Sequence, residues 1–388
     1  MKVLLVTKQA LRIIDGWLSC DFAISSTIKR FQRLGELYLC CSPFTGKVVA
    51  QPLDMTMDIP EEHIALLNSE SSIYNRYLHR QPNIERIERF VKEVDLVIGY
   101  VPSTVGDLAC KIAHHNGKKY MAFVVACPWD SMWNHKSWKA KLMAPAHYLA
   151  MKKTLRHADY AWYVTEQFLQ HRYPTNGITL GYTDSNLDEC QQEVLERRLD
   201  LIDKNPERVH LLDVGNLDVG FKCQDDIIKA LPQIIGRHHD THLFLIGGGE
   251  GRYLRQLTES LHLNDNVHFM GSQTRDTVID MMDRCDIYIQ PSLQEGLPRS
   301  IAEAMSRAMP CIGSTIGGIP EMLEKECLVR PRHPEEIAQA ILSMSTEKKR
   351  AQATRNFHFA KKYMSKEIDR RLDEFFNNIR KDINSINQ

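Results

Sequence analysis

Tyr288–Pro320 reads YIQPSLQEGLPRSIAEAMSRAMPCIGSTIGGIP. A short apolar strand, Ile287–Gln290, runs into Pro291-Ser292, and a loop then carries Glu295-Gly296. Pro298 is placed to open a helix as its first residue. Ile301, Ala304, Met305 and Ala308 recur at helical spacing and share one face. A strand, a loop and a helix N-terminus in succession make an anion site, because unpaired N–H groups and the positive end of the helix dipole point at the loop. Glu295 lies in that loop and Glu303 one turn inside the helix. Two carboxylates would repel a bare phosphate. They suit a phosphate that carries hydroxylated groups on both ends, as a nucleotide sugar does.

The rest of the chain sets the frame around this segment. Its 388 residues exceed what one core comfortably holds, so two domains are expected. The 49 basic and 49 acidic residues balance, which argues against a nucleic-acid binder. The 10 cysteines are scattered, with no C-x-x-C pair, and read as reduced core thiols in a reducing compartment. The opening MKVLLVTKQ is too short in apolar residues for a signal peptide, and no window approaches the ~18 apolar residues of a membrane span. A cytoplasmic protein is expected, with peripheral contact at the inner face of the cell membrane left open.

Short buried-type strands alternate with helices, the signature of an α/β fold. Val3–Thr7, Leu37–Ser42, Leu96–Tyr100, Tyr120–Ala126 and Tyr160–Val164 read as strands in the first half. His210–Val214, His242–Ile246, Val267–Phe269, Ile287–Gln290 and Cys311–Gly313 repeat the theme in the second. Asp184–Pro206 is polar, without a strong period, and reads as the linker. Residues 1–185 and 186–364 are thus expected to form two Rossmann-like domains facing across a cleft, with ligands at the carboxyl ends of the strands. The tail has Tyr363, Ile368, Leu372, Phe375, Phe376 and Ile379 at helical spacing. Helix 365–388 is expected to dock, crossing back to the first domain.

The frame Pro291, Ser292, Glu295, Gly296, Pro298, Glu303, Ala304, Met305, followed by Gly317, Gly318, Pro320 and Glu321, resembles the family 4 retaining glycosyltransferases of GT-B fold. Val214-Gly215-Asn216-Leu217 and Lys222 resemble that family's V-G-R-L…K segment, with Asn216 where an Arg is usual and Cys223 where a Gly is usual. The turn Gly247-Gly248-Gly249 and the strand end Phe269-Met270-Gly271 are similar to segments that lie under the donor nucleotide. The resemblance implies a metal-independent, retaining transfer from a nucleotide-diphosphate sugar, with UDP the commonest base. The acceptor would be a glycan or a lipid-linked sugar in surface polysaccharide or lipopolysaccharide synthesis. It implies that Glu303 holds the ribose and Glu295 the donor sugar, and that Lys222 meets the diphosphate. Backbone amides near Gly296, at Leu297, Arg299 and Ser300, would take the phosphates, and Gly215, Asn216, Gly247, Gly249 and Met270 would line the nucleotide. No cofactor is implied, and no Asp-x-Asp motif is present to hold a metal.

The first half departs more from the pattern. Asp15-Gly16-Trp17 offers one glycine, Gly16, where the family has two at a helix start. The family's His after a middle strand is absent. Cys127-Pro128-Trp129-Asp130-Ser131-Met132-Trp133-Asn134-His135 stands there instead. Aromatic rings suit sugar faces and Asp and Asn suit hydroxyls. Asp130 is therefore a catalytic candidate, and Trp129, Trp133, Asn134 and His135 are acceptor-side candidates; a plain packing role for the tryptophans is equally open. Two rivals accompany the transferase: a GT-B sugar-nucleotide epimerase, and a degenerate sugar-nucleotide binder without catalysis. Lys136, Lys139, Lys141, Lys152, Lys153 and Arg156 form the richest basic run, either a solvated helix face or a contact for anionic lipid.

Overall fold

The computed structural model describes residues 1–14, 17–20, 22–43, 55–57, 59–68, 73–185, 187 and 190–386. The chain forms two compact units. One comprises Met1–Met132, Leu142–Asn186 and Ile368–Gln388, the other Trp133–Lys141 and Leu187–Glu367. The expected boundary leaves 133–141 in the first domain; the structure groups Trp133–Lys141 with the second unit. There the Asn134 amide donates to the Leu293 carbonyl at 3.0 Å.

In the first unit, Ile64–Leu66, Glu36–Pro43, Lys2–Ile14, Leu96–Val101, Lys119–Val124, Tyr160–Tyr163 and Ile178–Gly181 lie side by side in that order, all parallel. The far end of Lys2–Ile14 also pairs antiparallel with Trp17–Cys20, which pairs with Met55–Met57. The central strands are buried on both faces, so they read as unbroken apolar runs (Val3–Val6, Met121–Val124) and not as alternation. Phe31, Phe123 and Trp162 meet with ring centroids 4.5–5.5 Å apart. The C-terminal helix Ser365–Ile386 buries Ile368, Leu372, Phe375, Phe376 and Ile379, and Phe376 reaches Phe31 at 6.5 Å. Buried Arg30 ties this corner together. Its guanidinium donates to the Asp184 and Ser185 carbonyls, both at 2.8 Å, and to Asp369 at 3.3 Å.

The second unit has six parallel strands in the order Val267–Gly271, Thr241–Ile246, Val209–Val214, Ile287–Gln290, Cys311–Ser314, Leu328–Val329. The first strand in the chain lies centrally. The next two extend one way and the later three the other, which creates a switch point between Val209–Val214 and Ile287–Gln290. Two expectations change here. The polar segment read as linker contains a helix, Gln192–Lys204, whose Val194, Leu195 and Ile202 are buried beside Arg198. The Arg198 guanidinium donates to the Cys285 and Met282 carbonyls, so a buried charge sits where the sequence reads as solvated. Pro298 is not the first helical residue. It is the N-cap, with ψ 118°, and the helix runs Arg299–Ser306. The nine cysteines whose side chains are described are free, and all but Cys190 are buried.

Candidate functional site

Val209–Val214 and Ile287–Gln290 pair through Leu211 with Ile287 and Leu212 with Tyr288, and then diverge. The gap they open at their carboxyl ends is where an α/β sheet places its ligands. One loop, residues 215–223, leaves the first strand and another, 291–298, leaves the second. The Leu293 amide donates to the Phe221 carbonyl at 2.8 Å and joins them. Across this junction Lys222 Nζ donates to Glu295 Oε1 at 2.7 Å. Their side chains are only 21% and 12% exposed, so each charge depends on the other for compensation.

A polar relay fixes the pair from beneath. Gln290 Nε2 donates to Glu295 Oε1 at 2.7 Å, while Gln290 Oε1 accepts from Tyr288 OH at 3.0 Å and Ser300 Oγ at 2.8 Å. On the neighbouring strand, Asp213 Oδ1 accepts at 2.6 Å from Nε2 of Gln224, the first residue of helix Gln224–Ile235, which also donates to the Gly215 carbonyl at 3.3 Å. None of Tyr288, Gln290, Asp213 and Gln224 stands out in sequence, because a lone polar residue in a strand or at a helix start carries no motif. Asp213 Oδ2, Ser292 Oγ and Gln294 Oε1 are buried without a hydrogen-bond partner among the described residues. Three orphaned polar atoms around one junction are unusual in a finished core and mark a place for a polar ligand.

Backbone geometry around Glu295 demands glycine. Gly317 has φ +65°, and a Cβ there would lie 2.3 Å from the Glu295 carbonyl oxygen. The Gly318 amide donates to the Gly296 carbonyl at 2.7 Å, which locks the two loops in contact. Arg299–Ser306 starts just beyond Leu297, so Arg299 and Ser300 occupy the first turn, whose amides have no intrahelical acceptor. Glu303 lies further along it. Burial raises its pKa above the ordinary carboxylate value, and Arg275 and Arg299 oppose that rise, so those two cations lie near it.

The Gly-rich turn is packed closely against the loop that follows Val209–Val214. Gly247 has φ +154° and touches Gly215; a Cβ there would lie 2.0 Å from the Gly215 oxygen. Asp218 braces the turn before helix Arg252–Ser260 by accepting from the Glu250 amide at 3.1 Å and the Gly251 amide at 2.9 Å. Asn216 holds Asp218 in place, its Oδ1 accepting from the Asp218 amide at 3.0 Å. Gly247 and Gly249 are needed for this close packing, and the Asn216 Oδ1 turns back on its own loop. Met270 is an extra residue in its strand, since Leu245 pairs with Phe269 and Ile246 with Gly271.

Of the remaining candidates, Asn134 sits at the loop junction, its amide donating to the Leu293 carbonyl. Asp130, in the first unit, pairs with Arg172 at 3.1 Å. Trp129 packs edge-on against Tyr148 at 5.9 Å, whereas Trp133 is 51% exposed. His135 accepts from the Ser137 amide through Nδ1 at 3.0 Å. Gly16 lies outside the described residues.

Comparison with known proteins is consistent with this geometry. Residues 208–347 match the family model for Glycosyl transferases group 1. Protein CapJ of Staphylococcus aureus is 30% identical over 244 residues, 62% of this chain and 60% of CapJ. N-acetyl-alpha-D-glucosaminyl L-malate synthase of Bacillus anthracis is 35% identical over 115 residues, 29% of each chain. The chain thus spans about three fifths of CapJ's length and less of the synthase. Among solved structures, sucrose-phosphate synthase from Thermosynechococcus elongatus superposes with a TM-score of 0.71 at 14% identity, covering 97% of this chain and 98% of that one. Anabaena HepE in complex with UDP-glucose superposes at 0.68 and 17% identity, covering 97% and 100%. The fold is the GT-B arrangement of two parallel-sheet, Rossmann-like domains.

Asp213 supplies a test of the site's electrostatics. Burial pushes its carboxyl from the ordinary 3.8 up to about 7, against the pull of Gln224 and Lys222. The folded chain then binds a proton that the unfolded chain releases between those two values. Its stability contribution is complete below about pH 4, falls as pH rises, and is gone above about pH 7. Asp213→Asn keeps the acceptor for Gln224 and removes the charge. Thermal unfolding across that range should show a flatter pH profile and a gain on the order of 2 kcal/mol above pH 7. An unchanged profile would contradict this assignment.

Proposed function

We propose that this chain, which carries a glycosyl transferases group 1 domain in a GT-B fold, transfers a sugar from a nucleotide-diphosphate donor to a glycan or lipid-linked acceptor, with retention and without a catalytic metal. The observation that carries the proposal is the Lys222–Glu295 pair, 2.7 Å apart at the switch point, with Glu303 on the next helix. Lys222 meets the diphosphate with an ammonium that has three donors, only one of them used by Glu295. The first-turn amides of Arg299–Ser306 take the phosphate oxygens. Glu303 accepts from the ribose hydroxyls, and Glu295 from hydroxyls of the donor sugar.

In the reaction, the bond from the sugar's anomeric carbon to the β-phosphate oxygen breaks. The acceptor oxygen bonds to the same face of that carbon, and its proton passes to the leaving diphosphate. Lys222 stabilises the negative charge as it develops there. UDP is the first nucleotide to test, since HepE, of the same fold, holds UDP-glucose. A second reading has one observation in its favour: Asn216 stands where the resemblance expects an arginine, and it is spent on Asp218. A degenerate protein would bind donor and transfer nothing.

Thermal shift with UDP, GDP, ADP and their sugars tests donor binding. At least one should raise Tm, and failure of all would remove the transferase proposal. Glu303→Ala should weaken nucleotide binding about tenfold or more. Glu295→Gln should lower donor turnover about a hundredfold with a smaller effect on affinity. The opposite ranking would exchange the two roles, and binding without turnover in the wild type would favour the degenerate protein.

The helix Trp138–Arg156 gives the acceptor proposal a physical setting. Trp138, Leu142 and Leu149 stand at i, i+4 and i+11 on one face and are 63–69% exposed. Lys139, Lys141, Lys152, Lys153 and Arg156 flank them. We propose that this stripe rests on an anionic lipid surface. No described helix is long and apolar enough to cross a membrane. Vesicles containing phosphatidylglycerol should sediment with the wild type, and Lys139→Glu/Lys141→Glu should abolish that at unchanged Tm. Equal sedimentation by both proteins would overturn it.

A further inference from the structure

We propose that the second unit binds a transition-metal ion of the zinc class through His210, Asp240 and His242. The site lies at the amino ends of the strands whose carboxyl ends make the donor site. It is independent of the proposed transferase activity.

His210 and His242 are the second residues of Val209–Val214 and Thr241–Ile246, and they pair directly in parallel register. Equal positions in adjacent parallel strands put both side chains on one face. Asp240 immediately precedes the second strand and reaches the same spot. Its Oδ1 is 3.1 Å from His210 Nε2 and 3.6 Å from His242 Nε2. The three ligand atoms all lie within 4.8 Å of one another. Zinc bonded at ~2.0–2.1 Å in a tetrahedron separates its ligands by about 3.3–3.4 Å. The two measured separations bracket that edge. Two imidazoles and one carboxylate suit zinc or cobalt and leave a fourth position for water. Asp240's carboxylate is 60% exposed, which gives an ion its entry path.

An outer partner is also in place. His242 Nδ1 lies 3.0 Å from His268 Nε2 on the third strand, Val267–Gly271. Only one proton can sit between those nitrogens. With His242 Nε2 on the metal, Nδ1–H donates to His268, which fixes the ligand's tautomer. The His268 ring is held in turn by stacking on Phe244, with centroids 4.7 Å apart and 23° between planes. Arg208, two residues before His210, is bound to Asp286 at 2.9 Å. The sequence offers no motif for this cluster, because its ligands come from two strands and their outer partner from a third.

The test uses the full, tag-free chain after chelator treatment. Zinc, cobalt and magnesium chlorides are added separately while Tm, stoichiometry and visible absorption are followed. One zinc per chain should bind and raise Tm by about 5 °C at a hundredfold excess over Kd. Cobalt should give the visible bands of a tetrahedral ion. His242→Gln and Asp240→Asn should each weaken zinc binding at least about tenfold, and His262→Gln, a surface control, should not. Unchanged zinc affinity in His242→Gln and Asp240→Asn would overturn the proposal. So would equal stabilisation by magnesium, or no rise in Tm with zinc.

Discussion

The second unit is organised around one half-buried ion pair, Lys222 to Glu295. Such a pair is a poor source of stability, since partial loss of water offsets most of the attraction. It persists because the surroundings hold each partner where it is. Gln290 donates to the same Glu295 oxygen as Lys222, and Gln290 is itself fixed by Tyr288 and Ser300. In the proposed reaction, a diphosphate arriving at Lys222 would find a cation already positioned, with donors to spare, and the departing negative charge would have its counter-charge in place before the bond breaks.

That positioning is bought with glycine. Gly317 lets one loop lie against the Glu295 carbonyl, and Gly247 lets the next turn lie against Gly215. Both sit at φ values that residues with a Cβ rarely adopt. The Leu293 to Phe221 and Gly318 to Gly296 hydrogen bonds then tie neighbouring loops together. The site is therefore made of loops, yet each loop is braced by backbone contact with another.

Much of this was legible beforehand. Short unbroken apolar runs marked the strands, the frame from Pro291 to Glu321 singled out Glu295 and Glu303, and the segment from Val214 to Lys222 singled out Lys222. Pattern cannot reveal the relay beneath them. Asp213, Gln224 and Gln290 are ordinary polar residues until the sheet brings them to one end. Nor can pattern reveal that Asn216 and the amides of Glu250 and Gly251 converge on Asp218. The helix Gln192–Lys204 was hidden by its polar composition, because half its length faces water and a buried arginine replaces an expected apolar residue. Helix Trp138–Arg156 shows the converse: an apolar stripe that resembles a core face is exposed.

The central claim is that Lys222 is a phosphate-binding cation held ready by Glu295. Calorimetric titration of nucleoside diphosphates into the wild type and Lys222→Met tests it most directly. One diphosphate should bind per chain, and loss of the ammonium should weaken it about tenfold or more, while the matching nucleoside without phosphate binds both proteins alike. Equal diphosphate affinity in the two proteins would contradict the account.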